Sequence, residues 1–419
     1  MRDKSVSKND AIFCNPILWI AKNGIVFAYR QDLRPAAASG KNDIIFAYKF
    51  VPIIVAVNCN ISCHYMAAES FLDYTSRIDM AYSTTATAPA TAKPATPVTA
   101  TVRDGLGNQL FIVVSALAHA RRQGRPALFR RDAAYGYRAA YWDSLLAAAP
   151  SAVPGTAECD AIEVGRAGRA HFQEAAHTFA EVPAGADTLL GFFQSARYFG
   201  AEFAAVAADL RLADLRAAVR AQCAPAFAPS VLGGTPSAPE APETISLHFR
   251  LGDYKWQASH VLRCDYYWAA LGALIAELDK SSDKSAPRAR RVIYFYELED
   301  QTIIDHWVAA LRSGFPAVEF VAARECVSAH EFVSAHECAS SALADWEEML
   351  LMSCCDHHVI ANSSFSWWGA YLKRCDVLDA PSDAPSRAQT VVAPRVWFGS
   401  DEASLARSRD ICPGEWILV

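Results

Sequence analysis

The segment at residues 357–374 constrains the fold more than any other part of the chain. An apolar run at residues 357–360 is typical of a buried strand, and a polar turn at residues 361–364 leads into apolar positions at helical spacing. Backbone N–H groups and the positive end of the helix dipole favour an anion at such a helix start. The alternative is an ordinary N-cap, because Ser and Asn cap helices in many folds. The candidate anion-binding side chains are Asn362, Ser363, Ser364 and Ser366.

A second segment with the same order of elements lies at residues 99–123. A β-branched run at residues 99–102 predicts a strand, and apolar spacing over residues 110–123 predicts a helix that Gly124 and Pro126 end. Glycines between the two elements allow a ligand to approach the backbone closely. An ordinary βα turn is the alternative. The candidate binding residues of this turn are Gly105, Gly107, Asn108 and Gln109.

The third segment combines a strand with charged side chains at its carboxyl end. Apolar and polar residues alternate over residues 245–250, which predicts a strand that presents His248 and Arg250 on one face. Gly252 and Asp253 follow. Ligands of open α/β sheets bind at the carboxyl ends of the strands, and a guanidinium binds phosphate oxygens with two parallel hydrogen bonds. The alternative is a simple ion pair between Arg250 and Asp253.

Together the three segments resemble the signatures of the α1,2-fucosyltransferases, glycosyltransferase family 11. Residues 362–369 read Asn-Ser-Ser-Phe-Ser-Trp-Trp-Gly, and residues 105–111 read Gly-Leu-Gly-Asn-Gln-Leu-Phe, like that family's C-terminal and N-terminal signatures. Residues 248–253 resemble the His-x-Arg-Arg-x-Asp motif that α1,2-, α1,6- and protein O-fucosyltransferases share. This chain departs from the family at Leu251, where the motif has its second Arg, and at Asp104, where the family usually has Gly.

The resemblance implies an α/β protein of the GT-B fold, with two Rossmann-like domains that face each other across a cleft. We expect an acceptor-side domain at residues 101–235 and a GDP-fucose-binding domain at residues 243–419. The Pro-, Ala- and Gly-rich stretch at residues 224–243 is the expected linker. The implied reaction moves L-fucose from GDP-fucose to the 2-hydroxyl of a terminal galactose on a glycan, with inversion.

The resemblance also implies roles for individual residues. Arg250 would stabilise the leaving diphosphate, the part that a metal ion has in other glycosyltransferases, so we expect no metal and no cofactor. His248 and Asp253 would orient Arg250 or hold the nucleotide. Trp367 and Trp368 are expected to pack in the core rather than to stack on a sugar. The expected donor-binding residues are Gly105, Gly107, Asn108, Gln109, His248, Arg250, Gly252, Asn362, Ser363, Ser364 and Ser366.

Two other functions stay open from the sequence. A fucosyltransferase for another acceptor class would share the Arg motif, although it should lack the run at residues 362–369. A catalytically inactive protein that binds a glycan or a sugar nucleotide would explain Leu251 and Asp104. The net charge of −6 argues against non-specific nucleic-acid binding, which needs a basic surface.

The first hundred residues have a different composition from the rest. Residues 44–57 are apolar apart from Lys49 and Pro52, which is short for a membrane span of about 20 residues. An Ala-, Thr- and Pro-rich stretch at residues 84–100 fits a stem, and Asn60 begins a glycosylation acceptor. For a eukaryotic chain the resemblance implies a Golgi membrane protein with a luminal catalytic domain, and otherwise a cytoplasmic one. The alternative is an extension without function.

The cysteines do not indicate a metal site. None of the twelve forms a Cys-x-x-Cys pair. The run at residues 354–358, Cys-Cys-Asp-His-His, is expected to be a buried helix end, because a zinc site normally has separated pairs of ligands. The tandem repeat at residues 327–337 is expected to be a loop.

Overall fold

The computed structural model describes residues 19–20, 26–27, 96–157, 159, 170–175, 177–229, 231–232, 235–236, 241–256, 261–281, 289–326, 343–376 and 388–419. Contacts divide the chain after Pro89, and residues 90–419 form one compact unit. The candidate anchor at residues 44–57, the glycosylation acceptor, most of the stem and the tandem repeat lie outside the described residues. Trp19–Ile20 and Val26–Phe27 form a short antiparallel pair.

The N-terminal half is built on parallel strands. Its strands are β1 (Thr99–Ala100), β2 (Phe129–Arg130), β3 (Ala134–Tyr135), β4 (Arg138–Ala139), β5 (Ser151–Ala152), β6 (His171–Gln173) and β7 (Thr188–Leu190). β3 and β4 form a hairpin. A bridge between Val98 and Ala127 joins the β5–β2 pair to the β1–β7–β6 sheet, so the order is β5-β2-β1-β7-β6, all parallel.

Helices complete this half. α1 (Leu106–Arg122) connects β1 to the neighbouring β2, which makes a βαβ unit. Gly124, with φ +58°, follows the helix end, as the sequence predicts. α2 (Phe203–Asp209) and α3 (Leu212–Gln222) come after β7. Shorter 3₁₀ turns lie at Ala196–Tyr198 and Ala224–Phe227.

The C-terminal half is a six-stranded parallel sheet. Its strands are β8 (Glu243–His248), β9 (Arg290–Phe295), β10 (Val318–Ala322), β11 (His357–Val359), β12 (Val391–Ala393) and β13 (Ile417–Leu418). The order is β10-β9-β8-β11-β12-β13, which is the order of a dinucleotide-binding fold. The direction of winding reverses between β8 and β11, so the ligand crevice of such a sheet is expected at their carboxyl ends.

Helices connect these strands one by one. They are α4 (Cys264–Ser281), α5 (Gln301–Gly314), α6 (Asp345–Ser353), α7 (Ser364–Tyr371) and α8 (Glu402–Ser408). 3₁₀ turns lie at Gly252–Trp256, Leu298–Asp300, Ala323–Glu325 and Leu372–Arg374. A short pair, Val231–Leu232 with Thr235–Pro236, lies between the two sheets in the chain. The α/β class and the two Rossmann-like sheets of a GT-B fold are confirmed, while the domain boundaries at 235 and 243 stay predictions.

Helix α7 packs against both halves of the compact unit. Trp367 and Trp368 have no exposed surface, and their rings lie 4.5 and 4.9 Å from the ring of Phe111 on α1. Phe199 stacks on Trp368 at 5.3 Å. The two tryptophans therefore belong to one core shared by both halves, which confirms that they pack rather than face a sugar.

The Cys-Cys-Asp-His-His run is divided between a helix end and a strand. Cys354 and Cys355 are buried just after α6. His357 and His358 lie in β11, where His357 Nε2 is 3.3 Å from Glu243 Oε1 and His358 Nδ1 is 2.7 Å from Ser246 Oγ. The expected buried helix end is confirmed for Cys354 and Cys355, whereas His357 and His358 belong to a buried strand.

Candidate functional site

The three sequence segments meet at the point where the sheet order reverses. β8 and β11 are neighbours, with Leu247 opposite Val359. The polar turn after β11 leads into α7, whose first residues touch the start of α1. A Cβ atom on Gly107 would lie 2.5 Å from the carbonyl carbon of Ser364, and Trp368 Nε1 donates to the Gly107 carbonyl at 3.0 Å.

Two helix N-termini therefore converge. α7 begins after Ser363, whose side chain makes no cap hydrogen bond among the described residues, and α1 begins after Gly105, which has no side chain. The first-turn N–H groups of a helix have no acceptor in the helix itself, and each N-terminus carries about half a positive charge. The convergence gives this edge of the sheet a positive potential that favours an anion.

Asp104 preserves the turn that precedes α1. Its φ is +69°, the left-handed conformation for which Gly is the usual residue. Asp tolerates this conformation better than most residues, and its Oδ1 accepts a hydrogen bond from Gly105 N at 2.7 Å. Asp104 is therefore compatible with a left-handed turn at this position.

Two of the expected donor-binding side chains are used inside the protein. Gln109 is fully buried, and its Nε2 donates to the carbonyls of Asp104 and Ala139, both at 2.7 Å. Ser366 is also fully buried, and its Oγ accepts from Ala361 N at 3.2 Å. Both side chains hold the shape of the turns that they belong to.

Asn108 and Asn362 connect the turns to other parts of the site. Asn108 Oδ1 accepts from Gln194 Nε2 at 2.6 Å, which brings the segment after β7 to the start of α1. The side-chain Nδ2 of Asn362 donates to the backbone carbonyl of Trp397 at 3.0 Å. The backbone carbonyl of Asn362 accepts from Tyr254 Oη at 3.2 Å.

Arg250 lies at the carboxyl end of β8 between carboxylates. Its guanidinium pairs with Glu297 and with Asp253, and its Cζ lies 5.0 Å from the centre of the Tyr254 ring. The side chain is only 16% exposed, and its Nε is buried without a partner among the described residues. Tyr267 Oη, at the start of α4, accepts from the backbone N of Arg250 at 3.2 Å.

His248 is a neutral, buried imidazole beside this guanidinium. Burial, and secondly the charge of Arg250, lower the pKa of His248 to about 3. Its ring lies 5.4 Å from the ring of Phe365 on α7. His248 therefore carries no charge at neutral pH and contributes packing and polarity rather than a cation.

Two cavities open at this edge of the sheet. One, of about 260 Å³, is lined by Tyr137, Arg138, Arg250, Gly252, Asp253, Trp256, Glu297 and Glu299. The other, of about 580 Å³, is lined by Leu251, Lys255, Val261, Arg263, Cys264, Asp265, Ile303 and Trp307. Arg250 and Leu251 are neighbours in the chain, but they line different cavities.

The loop after β8 is held by a carboxylate that the sequence reasoning did not assign. Asp300 is 2% exposed, and its carboxylate accepts from Gly252 N at 2.8 Å and from Lys255 Nζ at 2.6 Å. Gly252 has φ +37°, and a Cβ there would lie 2.6 Å from the Glu297 carboxylate. Gly252 therefore shapes the loop that presents Asp253.

Four residues of the site were missed from the sequence: Arg138, Tyr254, Glu297 and Asp300. Glu297 and Asp300 follow β9, the strand beside β8, so the rule that strand ends meet at one edge could have found them. Arg138 lies 115 residues before its partner Asp253, and no local pattern marks it.

No helix in the described part of the chain is long and apolar enough to cross a bilayer. The Golgi localisation inferred for a eukaryotic chain stays an expectation.

Comparisons with known proteins match short parts of the chain. The family model described as "Glycosyl transferase family 11" matches residues 327–383, which contain the polar turn and α7. The chain is 40% identical over 72 residues to the Alpha-1,2-colitosyltransferase of Escherichia coli, covering 17% of this chain and 20% of that protein. It is 39% identical over 57 residues to the O-antigen biosynthesis glycosyltransferase WbnK of Escherichia coli, covering 14% of this chain and 15% of that protein.

The matched part is thus a fifth or less of the length of either relative. Among solved structures, the fucosyltransferase NodZ from Bradyrhizobium is similar with a TM-score of 0.33 and 14% identity, over 67% of this chain and 93% of that one. The chain is therefore similar to glycosyltransferase family 11 over residues 327–383, and to the two related sequences over part of its length.

Proposed function

We propose that this protein transfers L-fucose from GDP-fucose to the 2-hydroxyl of a terminal galactose on a glycan, with inversion. The observation that carries the proposal is the position of Arg250. Its guanidinium lines a cavity at the point where the order of the parallel strands reverses. The converging N-termini of α1 and α7 adjoin the same strand end. This arrangement suits a nucleoside diphosphate, which is anionic and accepts several hydrogen bonds.

The chemistry of the reaction explains why a cation is needed. The acceptor oxygen forms a bond to C1 of fucose, the bond from C1 to the β-phosphate oxygen breaks, and that electron pair leaves with GDP. The acceptor hydroxyl gives up its proton. Negative charge grows on the β-phosphate, and preorganised donors aimed at that position lower the barrier. Arg250 and the first-turn N–H groups of α7 supply such donors.

Carboxylates hold Arg250 in place before the donor binds. Glu297 and Asp253 pair with its guanidinium, so the side chain is fixed at the cavity rather than free in solvent. We propose that the β-phosphate takes the place of one of these carboxylates. Gln109 and Ser366, buried and bonded inside the protein, would position the turns rather than touch the donor.

The acceptor has a suitable surface beside the cavity. Tyr137 and Trp256 line the cavity and are 86% and 88% exposed. Pockets for organic ligands are lined mainly by apolar and aromatic side chains with a few polar groups. We propose that these two rings receive the galactose-terminated glycan.

We further propose that the reaction needs no divalent metal. The sequence has no Asp-x-Asp at a strand end, and the carboxylates of the cavity are paired with cations: Asp253 with Arg138 and Arg250, Glu297 with Arg250, and Glu299 with Lys255. Their charge is therefore already offset. Turnover should persist in EDTA. Full loss of turnover in EDTA and its return with Mn²⁺ would contradict the proposal.

Substitution of Arg250 is the main test. Removal of one preorganised donor typically costs a factor of about 10²–10³ in turnover, so Arg250→Ala should lose at least that much transfer from GDP-fucose. Arg250→Lys should recover only part, because an ammonium group lacks the planar fork. Transfer would be measured at saturating GDP-fucose on an array of glycan acceptors.

The same array separates the alternatives. Transfer to acceptors without terminal galactose would indicate another acceptor class. Tight binding of GDP without any transfer by the unchanged protein would indicate an inactive binding protein. Near-normal turnover of Arg250→Ala would show that this residue does not serve the donor phosphate.

A further inference from the structure

Arg138 brings a second guanidinium to the cavity that Arg250 lines. Its Nη2 donates to Asp253 Oδ2 at 2.9 Å, while Asp253 Oδ1 accepts from Arg250. One carboxylate therefore holds two guanidinium groups side by side. Arg138 is 32% exposed on its side chain, and its Nε is buried with no partner among the residues that the structure describes.

Arg138 comes from the half of the molecule opposite to Arg250. It lies in β4, after the turn that Gly136 makes with φ +66°. The fully buried Gln109 on α1 donates to the carbonyl of Ala139, the next residue, at 2.7 Å. The Gly-Leu-Gly-Asn-Gln segment thus fixes the hairpin that presents Arg138, so this cation is positioned rather than loosely exposed.

The position next to Arg250 in the chain supplies no charge. Leu251 is 3% exposed and belongs to the apolar core of the C-terminal sheet, together with Phe249 and Tyr267. It lines the larger cavity and not the one that Arg250 lines. Where the Arg motif has its second cation, this chain therefore has an apolar contact, and the cation beside Arg250 is Arg138.

Two neighbouring guanidinium groups need a strongly anionic partner. Like charges in a partly buried site repel, and here Asp253 and Glu297 offset that repulsion. A diphosphate carries more negative charge than one carboxylate and has oxygens for both guanidinium groups. A diphosphate in this cavity would therefore contact one guanidinium group from each half of the protein.

We infer that Arg138 is a second ligand of the donor's β-phosphate and supplies the cation that is missing at Leu251. The inference rests on the proposed use of a nucleotide-sugar donor. It assigns a binding role to a residue outside the Arg motif, from the opposite sheet.

The test compares binding of GDP and GMP to the full chain by isothermal titration calorimetry. Arg138→Ala should weaken GDP binding by about tenfold or more and change GMP binding less than about twofold, because GMP lacks the β-phosphate. Arg138→Lys should retain more GDP affinity than Arg138→Gln, since it keeps the charge.

Arg131→Ala is the matched control. Arg131 is 33% exposed, pairs with Asp143 and lies outside the cavity in the same segment of chain. The Arg131→Ala variant should bind GDP and GMP with the same affinities as the unchanged protein. Circular dichroism of each variant shows whether it is folded, and the comparison of Lys with Gln decides the question if Ala unfolds the hairpin.

The outcomes separate the inference from the proposed function. Equal losses of GDP and GMP affinity in Arg138→Ala would mean that the hairpin only shapes the site, and the inference would be overturned. Unchanged GDP affinity would overturn it as well. If the unchanged protein binds neither nucleotide, the nucleotide-sugar function itself fails.

Discussion

Gly107 lies where α1 and α7 touch without a side chain between them. A Cβ on this residue would lie 2.5 to 2.7 Å from backbone atoms of Ser364 and Phe365. Backbone atoms cannot rotate away as a flexible side chain can, so the two helices would have to separate. The close approach of the helix N-termini depends on this one missing side chain.

We predict that Gly107→Ala lowers the free energy of unfolding by about 1–3 kcal/mol, the usual cost of overpacking. The intrinsic preference of helices for Ala over Gly, up to about 1 kcal/mol, opposes this loss only in part. Urea unfolding of the variant and of the unchanged protein measures this difference in the free energy of unfolding. Gly105→Ala is the control, because φ there is −70° and no described atom lies within 4 Å of the added Cβ. Equal stability of the two variants would contradict the prediction.

Helix α7 joins the two halves and carries part of the candidate site at its start. Trp368 on its buried face donates to the carbonyl of Gly107 at 3.0 Å and packs against Phe111 and Phe199. An eight-residue helix has little stability alone, so its geometry depends on this packing. The same element therefore supports the core and places Ser363 and Ser364.

Trp368→Phe should destabilise the protein by about 1–3 kcal/mol, because it loses one hydrogen bond and leaves unfilled volume in the core. Trp256→Phe is the matched change at a side chain that is 88% exposed, and it should alter stability by less than about 0.5 kcal/mol. Unfolding in guanidinium followed by circular dichroism gives both values. A similar cost at the two positions would show that α7 does not hold the halves together.

Buried neutral histidines make the stability of the whole molecule depend on pH. Burial lowers the pKa of His119, His177, His248 and His358. Each is protonated in the unfolded chain below about pH 6.5 but resists protonation when folded, so folding loses stability as the pH falls. Burial raises the pKa of Glu348 to about 7, which acts in the opposite direction between pH 7 and about 4.5.

A single variant isolates the contribution of His248. As the pH falls from 6.5 towards its folded pKa of about 3, this residue should cost up to about 1.4 kcal/mol per pH unit. His248→Gln should therefore show a shallower decline of unfolding free energy between pH 7 and pH 5 than the unchanged protein. His306→Gln, at an exposed position on α5, is the control. Parallel curves for all three proteins would contradict the low pKa.

Local patterns were sufficient to predict the elements on which the site is built. Alternation at residues 245–250 predicted β8, and the run at residues 357–364 predicted β11 and the start of α7, because these signals depend only on neighbouring residues. The expected packing of Trp367 and Trp368 in the core is confirmed. The resemblance of three short segments also predicted the family whose model matches residues 327–383.

Contacts between distant parts of the chain could be decided only by the tertiary structure. Arg138 and Asp253 are 115 residues apart, and their ion pair depends on how the hairpin packs on Gln109. Gln109 and Ser366 were expected to touch the donor, but both are buried and hydrogen-bonded inside the protein. Their burial depends on packing between distant segments, which a local sequence pattern does not reveal. A local sequence pattern sets which residues each strand end carries, but the order of strands in the sheets and the packing of α7 set which of those ends meet.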